Sequence, residues 1–224
     1  MCAETNSHIP YIATFEPTPV QLLQVSQEYR QYMEKRRSIR FFSDKAIPAS
    51  VIENIIMTAA SAPSGANKQP WTFCAINNPD LKTQIRIAAE AEEYRSYNGR
   101  MSEEWLQDLA VIGTDWQKSF LEIAPWLIVV FRRNYEIEAN GHKHPNYYVQ
   151  ESVGIACGFL LAAIHQVGLV ALTHTPSPMD FLTKILQRPA NEKPFLLIPV
   201  GYPADDATVP NIERKTAQET LIWY

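Results

Sequence analysis

The sequence predicts an α+β fold in which a mixed β-sheet is flanked by helices. Apolar runs of strand length alternate with helical segments, but they do not repeat as strict β-α-β units. Residues 153–167 are apolar nearly all round and rich in small side chains, so this helix should be buried on several sides, one of them a dimer seam. The tail, residues 205–224, has no core of its own. We therefore expect an intertwined homodimer that exchanges its C-terminal arms.

The first two helices are predicted from their periodicity and end signals. Residues 20–37 follow a helical pattern. A second helix begins at Ser50, which forms a capping box with Glu53, and Pro63 stops it. The apolar positions expected to face inward are Leu22, Leu23, Tyr29 and Met33 in the first helix, and Ile52, Ile55, Ile56 and Ala59 in the second.

The remaining elements follow from apolar runs and turn residues. Asn78 caps a third helix that has Pro79 in its first position. Residues 93–118 form a polar and aromatic excursion with helical pieces. The predicted strands span residues 71–76, 126–131, 169–173 and 195–200.

The domain organisation is simple. We expect an N-terminal extension over residues 1–18, one domain over residues 19–204, and an arm over residues 205–224 that packs on the partner subunit. A chain of 224 residues fits one such domain.

Composition excludes several classes of protein. The net charge of −4 argues against a nucleic-acid-binding domain, which is usually strongly basic. No apolar run is long enough to cross a membrane, and no signal peptide is recognisable. We therefore expect a soluble, cytoplasmic protein. The spacing of Cys2, Cys74 and Cys157 matches no metal or redox pair, so we predict no metal site. Cys74 and Cys157 lie in apolar runs and should be buried.

Two clusters could hold an anion or a flat ligand. Arg36, Arg37, Ser38 and Arg40 could clamp a phosphate, because guanidinium groups make bidentate hydrogen bonds. The alternative is a solvated basic helix end. The turn over residues 63–66 contains Pro63, Ser64, Gly65 and Ala66, and its backbone could approach a ligand closely, although an ordinary loop has the same composition.

Two further clusters lie near the C-terminus. Thr173, His174 and Thr175 stand at the end of a predicted strand, where sheets commonly present side chains to cofactors. Arg214 and Lys215 in the tail could add a phosphate contact. Each cluster also has a purely structural interpretation. The first could be ordinary strand residues before a turn, and the second could be a surface charge pair. Motifs typical of Rossmann dehydrogenases, P-loop nucleotide hydrolases, zinc proteases and α/β-hydrolases are missing from the sequence.

The order and spacing of these motifs resemble the nitroreductase superfamily of flavoproteins and, within it, the iodotyrosine deiodinase family. The resemblance extends from Met33 to Pro210. It implies one FMN per subunit, held by Arg36, Arg37, Ser38, Arg40, Pro63, Ser64, Gly65, Thr173, Thr175 and Arg214. Thr175 is implied to be catalytic through a hydrogen bond to the flavin N5, and the turn is implied to reach the partner's flavin.

The same resemblance implies a substrate site. Glu93, Tyr97 and Lys118 stand where deiodinases bind the amino-acid group of a halotyrosine, and the Ala66 amide is implied to meet the phenolate oxygen. A carboxylate pairs with an ammonium and a lysine with a carboxylate. The expected activity is FMN-dependent reductive dehalogenation of halotyrosines by an unidentified reductant.

Two other functions stay open at this point. One is a general NAD(P)H-dependent nitroreductase or quinone reductase, with loose aromatic selectivity and little dependence on Glu93 or Lys118. The other is a flavin-binding or flavin-sensing protein without turnover. His174 departs from the family, which carries a threonine there, and the membrane anchor of the animal deiodinases is not found in this sequence.

Overall fold

The computed structural model describes residues 8–224, in two compact units that divide after Arg36. The first unit contains α1 (Pro19–Glu34). Thr18 caps the start of this helix and forms a reciprocal capping box with Gln21. No residue of α1 is buried. The prediction that Leu22, Leu23 and Tyr29 face inward is therefore wrong for this chain, since a lone helix has no second layer of its unit to pack against.

Within residues 8–224, the second unit contains all the strands and the other helices. Its strands are β1 (Trp71–Ile76), β2 (Trp126–Arg133), β3 (Tyr135–Ile137), β4 (Lys143–Pro145), β5 (Val170–Ala171) and β6 (Glu192–Gly201). Its helices are α2 (Ala49–Ala60), α3 (Pro79–Arg95), α4 (Glu103–Val111), α5 (Phe120–Ile123), α6 (Val149–Gln166), α7 (Asp180–Ile185) and α8 (Ala217–Thr220).

The central sheet has the strand order β1-β2-β6-β5, and all of these pairings are antiparallel. The prediction of a mixed sheet is therefore wrong. Within residues 8–224 the parallel pairing is confined to one bridge, between Ser38 and Ala171. The sequence could not show this, because an apolar run does not reveal the direction of the strand that it forms.

Both faces of the sheet are buried. Ile128 and Val130 of β2 belong to a core cluster that includes the buried faces of α2 and α6. Leu127, Val129 and Phe131 alternate with them and belong to a second cluster, which includes residues of α3, α5 and α7. This alternation is the two-residue period of a strand covered on both sides.

One helix prediction is wrong, and another stays a prediction in part. The second helix starts at Ala49 after Pro48, and no side chain caps it, so the capping box between Ser50 and Glu53 does not form. Helix α6 is buried along one face within this chain. Ile155 and Phe159 on its other face are 44% and 41% exposed. The dimer seam expected on this helix stays a prediction.

Three other features bear on the expectations from sequence. Residues 211–224 are exposed throughout. Cys157 is buried, and burial raises the pKa of its thiol to about 12, whereas Cys74 is only half-buried. Cys2 lies outside the described residues. Across residues 8–224, no helix combines the length and apolarity needed to cross a membrane.

A buried carboxylate joins β1, β6 and the loop after α7. Glu192 is 4% exposed, and it accepts hydrogen bonds from the Thr72 hydroxyl at 2.7 Å and from Arg188 Nε and Nη2 at 2.6 and 3.0 Å. Burial alone would raise the pKa of Glu192, but these hydrogen bonds outweigh it and lower that pKa. The charged form is therefore the one that stabilises the fold.

Replacing Glu192 should destabilise the protein in a pH-dependent way. We expect Glu192→Gln to lower the free energy of unfolding by about 1–3 kcal/mol at pH 7, because a charged acceptor is lost. Since the folded-state pKa is depressed, the difference from wild type should shrink as the pH falls below about 4. Urea unfolding at several pH values measures this. The exposed Glu53→Gln serves as control, and equal stability of Glu192→Gln and wild type at pH 7 would contradict the prediction.

Candidate functional site

A cavity of about 230 Å³ brings together side chains that are far apart in the sequence. Its wall includes seven of the residues singled out from sequence: Arg40, Glu93, Tyr97, Lys118, Thr173, His174 and Thr175. We call it the lid cavity, because residues 93–118, the lid, form much of its wall. The motifs predicted separately at the start, middle and end of the domain thus meet at one place.

The lid is shaped by local sequence signals. After α3 the chain makes a π-helical turn, Ser96–Arg100. The Ser102 hydroxyl then caps α4 by accepting the Trp105 backbone N–H at 3.2 Å. Trp105, Leu109 and Ile112 recur at helical spacing and line the cavity. Sequence analysis did not assign these residues to the site, although their periodicity indicated an apolar face.

The acid and the amine of the lid cavity face one another. Lys118 Nζ lies 3.6 Å from Glu93 Oε2, and the two side chains are only 3% and 10% exposed. The Lys118 ammonium also donates to the Thr114 hydroxyl at 3.3 Å and to the Asp115 carbonyl. Tyr97 stands beside them, with its hydroxyl donating to the Thr114 carbonyl at 3.2 Å. Lys118 Nζ is 5.7 Å from the centre of the Tyr97 ring.

Burial perturbs all three of these groups. It raises the pKa of Glu93, and Lys118 opposes that shift. It lowers the pKa of Lys118, and Glu93 opposes that shift in turn. It also raises the pKa of Tyr97. The Glu93 carboxylate and the Lys118 ammonium thus each favour the charged form of the other against the cost of burial.

Thr173, His174 and Thr175 form one edge of the cavity. The backbone of His174 exchanges two hydrogen bonds with Leu197 of β6, at 2.9 and 3.0 Å. Thr173 and Thr175 are exposed, whereas His174 is buried. The imidazole stands edge-on to Phe120, with ring centres 5.8 Å apart, and its Nε2 has no hydrogen-bond partner. Burial, with Lys118 and Arg40 nearby, lowers the pKa of His174 to about 3.

A second cavity of about 280 Å³ shares Arg40 and Ile112 with the first. Ser38, Phe41, residues 110–113 and residues 208–210 complete its wall. Arg37 Nη2 donates a hydrogen bond to the carbonyl of Pro210. The two cavities thus offer guanidinium and hydroxyl donors beside apolar side chains, a combination that fits the phosphate and ring system of FMN.

The other predicted cofactor residues do not line the two cavities just described. Arg36 is the last residue of the first unit, and Arg214 lies in the exposed tail. The turn over residues 63–66 does not line these two cavities either. The backbone in and just after this turn has unusual φ angles. Ala66, Asn67 and Gln69 all have positive φ, of 49°, 52° and 47°.

Contacts hold this turn in its strained form. The Gly65 amide donates to the Ser152 hydroxyl at 3.3 Å, and the Ser64 hydroxyl accepts the Gln69 amide at 2.9 Å. A Cβ on Gly65 would lie 2.9 Å from the Tyr148 ring, so a side chain does not fit there. Non-glycine residues in the left-handed region cost free energy, and such strain clusters at functional sites.

Comparisons with known proteins establish the family of this chain. The sequence model of the Nitroreductase family matches residues 33–202. The chain belongs to the nitroreductase family. The iodotyrosine deiodinase of Haliscomenobacter hydrossis is 64% identical over 217 residues, which cover 96% of this chain and 97% of that protein. Human iodotyrosine deiodinase 1 is 43% identical over 98% of this chain and 76% of its own length.

Solved structures give the same result. An iodotyrosine deiodinase bound to FMN and 3-iodo-L-tyrosine superimposes with a TM-score of 0.74 at 30% identity, covering 87% of this chain and 97% of that one. A Bacteroides fragilis nitroreductase with bound FMN has a TM-score of 0.62 at 20% identity, which supports the fold alone. The resemblance inferred from the sequence motifs is thereby confirmed.

The buried imidazole of His174 should make stability depend on pH. The unfolded chain takes up this proton near pH 6.5, whereas the folded chain does so only near pH 3. Stability should therefore fall as the pH drops from 6.5 towards 3, by up to about 1.4 kcal/mol per pH unit from this residue. We expect His174→Phe to flatten that slope in urea unfolding between pH 6.5 and 4.5. The exposed His142→Gln should keep the wild-type slope, and identical slopes in all three proteins would refute the assignment.

Proposed function

We propose that this protein is an FMN-dependent oxidoreductase that removes the halogen from halotyrosines, converting 3-iodotyrosine to tyrosine and iodide. The observation that carries the proposal is the opposed pair Glu93 and Lys118 beside Tyr97, at the wall of a cavity of ligand size. High identity to iodotyrosine deiodinases over nearly the whole chain supports it.

The cofactor is proposed to be held by Arg37, Ser38 and Arg40, with Thr173 and Thr175 beside the ring. The predicted roles of Arg36 and Arg214 towards the phosphate belong to the same proposal. Bound FMN in its reduced form would supply two electrons, which together with one proton replace the carbon–iodine bond by a carbon–hydrogen bond and release iodide. Thr175 is proposed as the residue that holds a hydrogen bond to the flavin N5.

Substrate recognition is assigned to the lid. The substrate ammonium takes the place of the Lys118 ammonium beside Glu93, and the substrate carboxylate pairs with Lys118. The Tyr97 hydroxyl and ring contact the same amino-acid group. The lid then separates the bound substrate from water, which strengthens each of these charge pairs.

The protein is proposed to act as a homodimer with exchanged C-terminal arms. Large apolar side chains are exposed on α6 and in the tail, among them Ile155 and Phe159, and Trp223 is 85% exposed. Exposed apolar area of this kind is typical of an interface. The strained turn over residues 63–66 lines neither of the two cavities described above. Pro63, Ser64, Gly65 and the Ala66 amide are therefore proposed to complete the partner's site, with the amide at the substrate phenolate.

The reductant and the cellular location belong to the same proposal. We expect a cytoplasmic protein whose flavin is reduced by an external donor, for which NAD(P)H is one chemical class to test. The alternative activity is that of a general NAD(P)H-dependent nitroreductase or quinone reductase. It differs in one respect that can be measured, because its activity should depend little on Glu93 or Lys118.

Glu93→Gln should weaken halotyrosine binding. Loss of one partner from a buried charge pair costs roughly 2–5 kcal/mol at interfaces, so the dissociation constant for 3-iodotyrosine should rise at least about tenfold. Titration of the FMN-loaded protein, followed by flavin fluorescence, measures it. The exposed Glu103→Gln on α4 is a matched control within the lid. An unchanged affinity in Glu93→Gln would remove this residue from the recognition site.

An anaerobic reaction distinguishes the candidate functions. Protein loaded with FMN and reduced by dithionite should be reoxidised by 3-iodotyrosine with release of one iodide per flavin. A general nitroreductase should instead be reoxidised by a nitroaromatic and ignore 3-iodotyrosine. A flavin-binding protein without turnover should remain reduced with both.

A further inference from the structure

Four polar side chains along α3 hold the segment by which the chain returns from the lid. Lys82, Arg86, Glu90 and Glu93 are spaced by four, four and three residues, so they lie along one face of the helix. We call them the α3 stripe. Each of them contacts residues between 118 and 124, and the contacts run in reverse order along the two segments.

The first half of the α3 stripe fastens α5. Lys82 is 8% exposed, and its Nζ donates to the carbonyls of Glu122 at 2.8 Å and Ala124 at 2.9 Å. Arg86 Nε lies 2.8 Å from Glu122 Oε1. The end of the returning segment is therefore tied to the helix at three points.

Glu90 ties down the residue at the lid's own end. Its Oε1 accepts the backbone N–H of Lys118 at 2.7 Å, and its Oε2 accepts Arg86 Nη1 at 2.6 Å. The Glu90 side chain is only 15% exposed. One carboxylate thus links α3 to the backbone of the residue whose ammonium faces Glu93, one helical turn further along the same stripe.

We propose that Glu90 is a positioning residue for recognition of the substrate's amino-acid group. A lysine carries its charge on a long flexible stem, so its ammonium is well placed only if its backbone is fixed. Glu90 fixes the backbone at Lys118, which binds the substrate carboxylate. Glu93, on the same helix as Glu90, binds the substrate ammonium. The distance between the substrate's two charged contacts is therefore set by α3. This inference rests on the proposed function.

A merely structural ion pair between Arg86 and Glu90 makes a different prediction. It would stabilise the fold as a whole, and its loss would weaken the binding of every ligand alike. A positioning role concerns only ligands that carry an ammonium and a carboxylate. A halophenol without the amino-acid group and FMN itself do not use Lys118 in this way, so their affinities separate the two roles.

The test compares Glu90→Met, which loses the acceptor, with Glu90→Gln, which keeps an oxygen for the Lys118 N–H. In FMN-loaded protein, we expect Glu90→Met to raise the dissociation constant of 3-iodotyrosine about tenfold, measured by flavin fluorescence. Glu90→Gln should stay within about threefold of wild type. Affinities for FMN and for 2-iodophenol should be unchanged in both variants. Gln84→Ala, at an exposed position of α3, is the control.

The possible failures are distinguishable. Wild-type protein that binds FMN but not 3-iodotyrosine would contradict the proposed function itself. If wild type binds 3-iodotyrosine, an unchanged affinity in Glu90→Met, or an equal loss of affinity for 2-iodophenol and FMN, overturns the positioning role alone. Should Glu90→Met fail to fold, Glu90→Ala, which also removes the acceptor of the Lys118 N–H, decides the question, and wild-type affinity for 3-iodotyrosine in that variant overturns the role.

Discussion

The antiparallel pairing of β2 with β6 is the constraint on which the second unit depends. Residues 126–131 of β2 are all buried, so helices have to cover both faces of the sheet. Strand β6 links β2 to the segment that contains His174, because Leu197 pairs with Val129 on one side and with His174 on the other. The position of Thr173 and Thr175 at the lid cavity thus follows from the register of the central strands.

Local signals in the sequence were sufficient for some elements and insufficient for others. Strand β1 has the predicted bounds, and Asn78 caps α3 as expected, because a strand's apolar run and a helix cap are properties of neighbouring residues. The start of α2 was misplaced since Pro48 provides the extended backbone that Ser50 was expected to supply. The exposed face of α6 depends on what covers it, which periodicity within one chain does not reveal.

The candidate site shows the same division. Arg40 was singled out from its basic cluster, Glu93 and Lys118 were identified by family resemblance, and the fold brings the three together at one cavity. The role of Glu90 escaped sequence analysis, because a glutamate four residues after Arg86 is typical of an ordinary solvent-facing helix pair. Its contact with the Lys118 amide depends on the return of residues 118–124 along α3. The pairing of Glu93 with Lys118 is therefore a product of one helix and the segment that returns to it.

The lid also contains aromatic residues whose arrangement has an optical consequence. Trp105 lines the lid cavity, while Tyr94 and Trp116 stand edge to face with ring centres 5.4 Å apart. Indole emission is sensitive to the polarity around the ring, and the two indoles occupy different surroundings on the same segment. Rearrangement of residues 93–118 should therefore change the protein's own ultraviolet fluorescence, so that lid motion can be timed without attaching a dye.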